Sequence, residues 1–233
     1  MSICYIDHLV IAAPSLEVGA NFVRRTLGVI PQPGGEHSRM GTHNLLLRLG
    51  EAAYLEVISP NPAVPHPERS RWFELDEHDA SAPPRLATWV ARTDDIRKTV
   101  AEMPEDMGHV EAMNRGDLEW LITIPSNGSL LLDGVAPALI QWPIGRHPAS
   151  HLRDVGCNLL RLEAFHSEST RVSRLFNCLG LGDVVSVQPL PDGAPGYLTA
   201  HIGTPTGPRT VSTPNNRFER SRGASSLGQG GDR

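Results

Sequence analysis

The sequence predicts an α+β protein built from paired βαβββ modules, and three observations carry that prediction. The run from Tyr5 to Leu27 reads as a strand leading straight into a helix. The stretch from Thr42 to Ser59 reads as a hairpin of two strands. The order strand, helix, strand, strand, strand then recurs between Arg85 and Pro143, and repetition on this scale is a statement about architecture.

The elements follow from local chemistry. Tyr5-Ile6-Asp7-His8-Leu9-Val10-Ile11 forms a strand in which His8 shares a face with Ile6 and Val10. Pro14-Ser15 breaks it and caps a helix whose apolar face is Leu16, Ala20, Val23 and Leu27, stopped at Gly28. Pro31-Gln32-Pro33-Gly34-Gly35 is expected as a loop. A two-residue turn at Gly50-Glu51 sets Leu49 against Ala52, Leu45 against Glu56 and His43 against Ile58. Side-chain alternation then puts His43, Leu45, Leu47, Tyr54, Glu56 and Ile58 on one face.

After a proline-rich connector from Pro60 to Pro67, Arg71-Trp72-Phe73-Glu74-Leu75 reads as a short helix or anchoring segment. The second module runs through a strand at Arg85 to Arg92 and a helix capped by Thr93 or Asp94. Its remaining strands are expected at His109 to Met113, Leu118 to Ile124 and Ala138 to Pro143. A weaker third copy starts with a strand at Asn158 to Phe165 and a helix at Thr170 to Leu179. Strands at Val184 to Val187, Gly196 to Gly203 and Arg209 to Thr213 would complete it. The expected domains are residues 1–150 for the paired modules, 151–213 for a partial third module and 214–233 for a disordered tail poor in anything to bury.

Composition narrows the function. Of 233 residues, 39% are hydrophobic and 20% charged, the balance of an ordinary soluble protein. A formal net charge of -5 argues against binding to nucleic acid, which needs a basic surface to displace counterions. No apolar run approaches the roughly 20 residues of a membrane span, and the start carries no basic leader, so a cytoplasmic protein without membrane partners is expected. Its partner is then a small molecule, and a homodimer is compatible with the chain. Cys4, Cys157 and Cys178 are far apart and unpaired, so no structural zinc or disulfide is expected.

Asp-His-Leu-Val in the first strand, Leu-Gly-Val at the end of the first helix, Met-Gly-Thr-His-Asn before a Leu-rich strand, and Tyr-Leu-Glu-Val-Ile after it resemble the glyoxalase-like members of the vicinal oxygen chelate superfamily. The resemblance spans about residues 4 to 211. It implies paired modules that curl into a cup, with metal ligands pointing inward from the first and last strands of each. It implies His8 and Glu56 as the ligand positions of the first module, and Thr88 and Gln141 at the corresponding places of the second, where Thr88 is a poor ligand.

His43, on the Glu56 face by the hairpin count, would complete a set of His8, His43 and Glu56 suited to divalent Fe, Mn, Ni or Zn. Gln141 and Arg115 would hold substrate, and Glu56 could instead act as base. The expected function is a metal-dependent enzyme that chelates a small oxygen-rich substrate and stabilises an enolate or oxyanion, of lyase, isomerase or dioxygenase type. The alternative is a protein that sequesters a small molecule in the same cup without chemistry. Asp7 is expected on the opposite face from His8, His37 in a solvated loop, and Trp120 and Trp142 as core anchors.

Overall fold

The structure, a computed structural model, describes residues 3–77 and 81–213; His78 and the expected disordered tail lie outside the described residues. The first module comprises β1 (Tyr5–Ala12), α1 (Leu16–Leu27), β2 (Gln32–His37), β3 (Thr42–Arg48) and β4 (Tyr54–Pro60). The second comprises β5 (Arg85–Arg92), α2 (Ile96–Ala101), β6 (His109–Arg115), β7 (Leu118–Ile124) and β8 (Ala138–Gln141). Helix α1 begins where Ser15 accepts the Val18 amide at 3.3 Å and ends at Gly28, whose φ of 74° closes the last turn in a left-handed conformation. Helix α2 is capped by Asp95, which accepts the Lys98 amide at 3.1 Å, and not by Thr93 or Asp94.

The eight strands of the two modules make one sheet in the order β2-β3-β4-β1-β5-β8-β7-β6. Each module pairs its first and last strands in parallel, β1 with β4 and β5 with β8, and the two modules join along the antiparallel β1–β5 pair. The sheet curls until its two edges meet. Arg39, in the turn after β2, reaches across to Glu111 of β6 at 2.6 Å and to the Ala112 carbonyl at 3.0 Å. Arg115 of β6 donates to Asn44 of β3 at 3.3 Å.

A third unit repeats the element order: β9 (Asn158–His166), α3 (Ser169–Cys178), β10 (Val185–Pro189), β11 (Tyr197–Thr204) and β12 (Gly207–Ser212). It does not repeat the pairing. Its sheet runs β10-β9-β11-β12, so the first strand lies between the second and third and does not pair with the last. Leu9, Ile11, Leu55, Val57 and Trp89 on one face of the large sheet share a core with Leu162, Ala164, Phe176, Leu198 and Ile202 of this unit. Val10, Ile58, Val90, Trp120, Ile122 and Ile140, on the inner face of the curl, form a separate cluster with Trp72 and Phe73.

Two details of register differ from expectation, and both decide what enters the cup. The β3–β4 loop has three residues, Gly50, Glu51 and Ala52, because the Leu49 amide bonds the Ala53 carbonyl at 2.9 Å. One added loop residue slides the pairing by one, and a slip of one exchanges the faces of a whole strand. Leu46 therefore faces Glu56, Asn44 faces Ile58, and His43 faces Ser59. In β1, Ile6 pairs with Ala91 while His8 pairs with Val90, which leaves Asp7 as the extra residue of a β-bulge. The Pro33-Gly34-Gly35 stretch is an irregular edge strand and not a loop, a place that tolerates proline.

Candidate active site

His8 and Glu56 stand together on the inner face of the curl, both buried, with His8 Nε2 and Glu56 Oε2 3.6 Å apart. Each is held from behind. The bulge turns Asp7 to the side of His8, and His8 Nδ1 lies 2.7 Å from Asp7 Oδ1. An ionised carboxylate only accepts, so Nδ1 carries the proton and Nε2 is the atom presented to Glu56. Glu56 Oε1 accepts the Asn44 side-chain amide, and Asn44 Oδ1 in turn accepts the Gly35 amide at 2.8 Å. The Tyr54 ring stacks on His8 at 4.5 Å.

Asp7 is fully buried, which opposes its ionisation, yet hydrogen bonds from His147 and His8 prevail and hold its carboxyl well below the ordinary range. Its second oxygen, Oδ2, receives Trp142 Nε1 and His147 Nε2, both at 2.9 Å, with the Arg92 guanidinium at 3.6 Å. His147 comes from the segment that leaves β8, so the connector to the third unit takes part in fixing His8.

The cavity in front of His8 and Glu56 measures about 310 Å³ counted to its mouth. Arg115, His37 and the rings of Trp72, Trp120 and Trp142 complete it. His37 is buried, not solvated, and burial pushes its imidazole down to about 3, helped by the positive charge of Arg115. Its Nδ1 lies 3.1 Å from Thr42 Oγ1. Among the described residues Arg115 has no carboxylate within ion-pair distance, and it donates to the neutral Asn44 oxygen. The indole N–H groups of Trp72 and Trp120 are buried without an acceptor among the described residues. One cation without a carboxylate partner and two unpaired donors among the described residues lining one cavity are a demand for an anionic or oxygen-rich ligand.

The residues expected at the site divide accordingly. His8, Glu56 and Arg115 converge on one cavity. His43 does not join them: the register places it on the other face of β3, beside Glu36 and the Pro60 carbonyl. Gln141 is also turned away, its Oε1 accepting the Ile96 amide at 2.9 Å and so closing the N-terminus of α2. Thr88 is buried with its hydroxyl directed to the Ala136 carbonyl at 3.3 Å. Arg39 clamps the sheet edges and stays out of the cavity lining. Asp7, His37, Asn44 and His147 belong to the site and were missed, since none has a sequence signal apart from the bulge and the register.

The donor set falls short of a metal centre. His8 Nε2 and Glu56 Oε2 are two donors, and catalytic metal sites keep about three from the protein. The second module presents Val90, Ala138 and Ile140 to the inner cluster, and no group of three or more His, Cys, Asp and Glu in metal-binding arrangement exists among the described residues. Arg115 adds a positive charge to the same space.

No helix among the described residues is long and apolar enough to cross a membrane. A protein of unassigned function from Staphylococcus aureus has a similar fold, with a TM-score of 0.53 at 14% identity over 90% of this chain and 85% of that one. Methylmalonyl-CoA epimerase from Mycobacterium tuberculosis matches at 0.40 and 18% identity, over 59% of this chain and 87% of that one. A mutant of 4-hydroxymandelate synthase from Streptomyces coelicolor matches at 0.45 and 12% identity, over 93% and 64%. No curated protein matches the sequence. The model of the glyoxalase-like domain matches residues 6–180, most of the described chain, and the protein belongs to that family within the vicinal oxygen chelate superfamily.

Proposed function

We propose that the protein is an enzyme that binds a small carboxylate in the cup and moves a proton at the carbon beside a carbonyl or carboxyl group, stabilising the resulting enolate or oxyanion. The observation that carries this reading is Arg115, a half-buried guanidinium without a carboxylate partner among the described residues, in the same cavity as a supported His8–Glu56 pair. Arg115 would anchor the substrate anion, and the unpaired indole donors of Trp72 and Trp120 favour a second oxygen nearby. Glu56, its rotamer fixed by Asn44, would take the proton on Oε2. From there the proton can return to the substrate or pass to His8 Nε2, whose imidazolium Asp7 would stabilise. The walls of tryptophan exclude water and strengthen each of these charges.

The metal-dependent form of this chemistry expected from the sequence uses a divalent Fe, Mn, Ni or Zn ion held by His8, His43 and Glu56, of which His43 lies on the other face of β3. With two donors in place of about three, no step of the present reading passes through a metal. A second reading, sequestration without chemistry, is favoured by the apolar inner face that the second module supplies. Exchange of substrate hydrogen for deuterium, followed by NMR over a panel of small 2-oxo, 2-hydroxy and malonate-type acids, separates the two. Exchange that disappears in Glu56→Gln supports the enzyme; binding that requires Arg115 with no exchange in any acid supports the binder.

A further inference from the structure

A second cavity, about 380 Å³ counted to its opening, lies against the first, and Trp72 and Phe73 line both. Its walls are largely carbon: Met107, Ile124, Leu130, Leu131 and Ala138 surround it, with Thr88 turning its hydroxyl to a backbone carbonyl. The two rings of the shared wall stack at 5.4 Å.

The backbone carrying this wall is held in an unfavourable conformation. Phe73 and Glu74 have φ of 58° and 54°, the left-handed region that bulky side chains avoid. Three contacts with the loop after β7 hold them there. The Glu74 amide bonds the Gly128 carbonyl at 3.0 Å, and Glu74 Oε1 accepts the Leu130 amide at 3.0 Å. Gly128 itself touches the Arg71 carbonyl so closely that a Cβ would stand 2.0 Å from that oxygen. Strain of this kind persists where its geometry is used, and its effect here is to fix two aromatic rings in the lining of both the charged chamber and the apolar one.

We infer that the apolar chamber is the subsite for the hydrocarbon part of the substrate, so that the natural ligand is a carboxylic acid bearing an aliphatic or aromatic group several carbons long. This rests on the reading of Arg115 as the carboxylate anchor. The acid end meets Arg115 beside His8 and Glu56, and the chain lies along the Trp72–Phe73 wall into the space lined by Leu130, Leu131 and Ala138.

The test uses the full chain and two series of probes, straight-chain acids from acetate to octanoate and the matching 1-alkanols, followed by calorimetry and by quenching of tryptophan fluorescence. Affinity for the acids should climb about fourfold per added methylene, the equivalent of about 0.8 kcal/mol of buried CH₂, until the chamber is full. Ala138→Leu, which fills the chamber, should stop the climb at a shorter chain and leave acetate and propionate unchanged. Met107→Phe fills it from another wall and should do the same, which covers the case of one variant failing to fold. Arg115→Met should weaken every acid by one factor and keep the slope. Affinity that ignores chain length, or a slope indifferent to both filling variants, overturns the subsite. If acids bind no better than alkanols and Arg115→Met changes nothing, the carboxylate reading falls, while an alkanol slope lost in Ala138→Leu would still uphold the chamber.

Discussion

Asp7 and His8 are consecutive residues of one strand, yet their side chains meet at 2.7 Å. In a regular strand they would point to opposite faces. The bulge at Asp7 brings them to one side, and with it the carboxylate that fixes the proton on His8 Nδ1. Asp7→Asn keeps the shape and turns an acceptor-only group into one that must present an N–H to a ring N–H or to Trp142. Folding stability should drop by about 3 kcal/mol, read as a lower urea midpoint with an unchanged slope. An unaltered midpoint would mean that the Asp7 network is not the buried charge cluster described above.

His37 makes stability depend on pH. Its folded pKa, about 3, lies below the ordinary value near 6.5, so the unfolded chain binds a proton that the folded chain refuses. Stability should therefore be full above about pH 6.5 and fall as the pH drops toward 3, losing roughly 2 kcal/mol between pH 7 and pH 5. His37→Gln, which cannot titrate, should flatten the urea midpoint across that interval. Asp7 acts in the same direction at lower pH, because its depressed carboxyl favours the folded state only while ionised. A midpoint that stays level from pH 7 to pH 5 in the wild type contradicts the buried, neutral His37.

Gly34 packs against Asn44 with no room for a side chain: a Cβ there would lie 2.0 Å from Asn44 Oδ1. Gly34→Ala should push Asn44 away from Glu56 and cost about 1–3 kcal/mol through the unpaired buried groups left behind. Binding of small acids should weaken with it, since Asn44 also positions Arg115. Stability and binding both equal to wild type would show that Asn44 does not support the site.

Metal content tests the donor set. Protein purified without chelator and then reconstituted with Fe(II), Mn(II), Ni(II) or Zn(II) should retain well under one equivalent after dialysis. One tightly held equivalent that disappears in Glu56→Ala would instead restore the metal-dependent reaction and assign His8 Nε2 and Glu56 Oε2 as ligands.

Apart from β2, which was expected as a loop, the strands and helices of all three units were legible because apolar alternation, Ser15, Gly28 and the repeated element order are local signals. The inner faces were less so. His8 and Glu56 could be placed, since a polar side chain in an apolar strand stands out whichever residue it pairs with. His43 could not, because its face depends on whether a loop holds two residues or three, and Gly50-Glu51-Ala52 reads equally well both ways. Gln141 lies one position beyond the inner-facing Ile140, so an error of one residue decides between cavity and helix cap. The pairing of the third unit is a long-range choice among similar strands and leaves no mark on any one of them.

The curled sheet closes on itself through side chains, Arg115 to Asn44 and Arg39 to Glu111 and the Ala112 carbonyl, not through a ladder of backbone bonds between β2 and β6. A seam fastened by a few side chains parts more easily than one stitched along its length, and Arg115 at this seam also lines the cavity. An anion that drew Arg115 away from Asn44 would loosen part of this fastening as it filled the cup. Arg115→Met removes the same bond, and amide exchange along β2 and β6 should register its loss as faster opening.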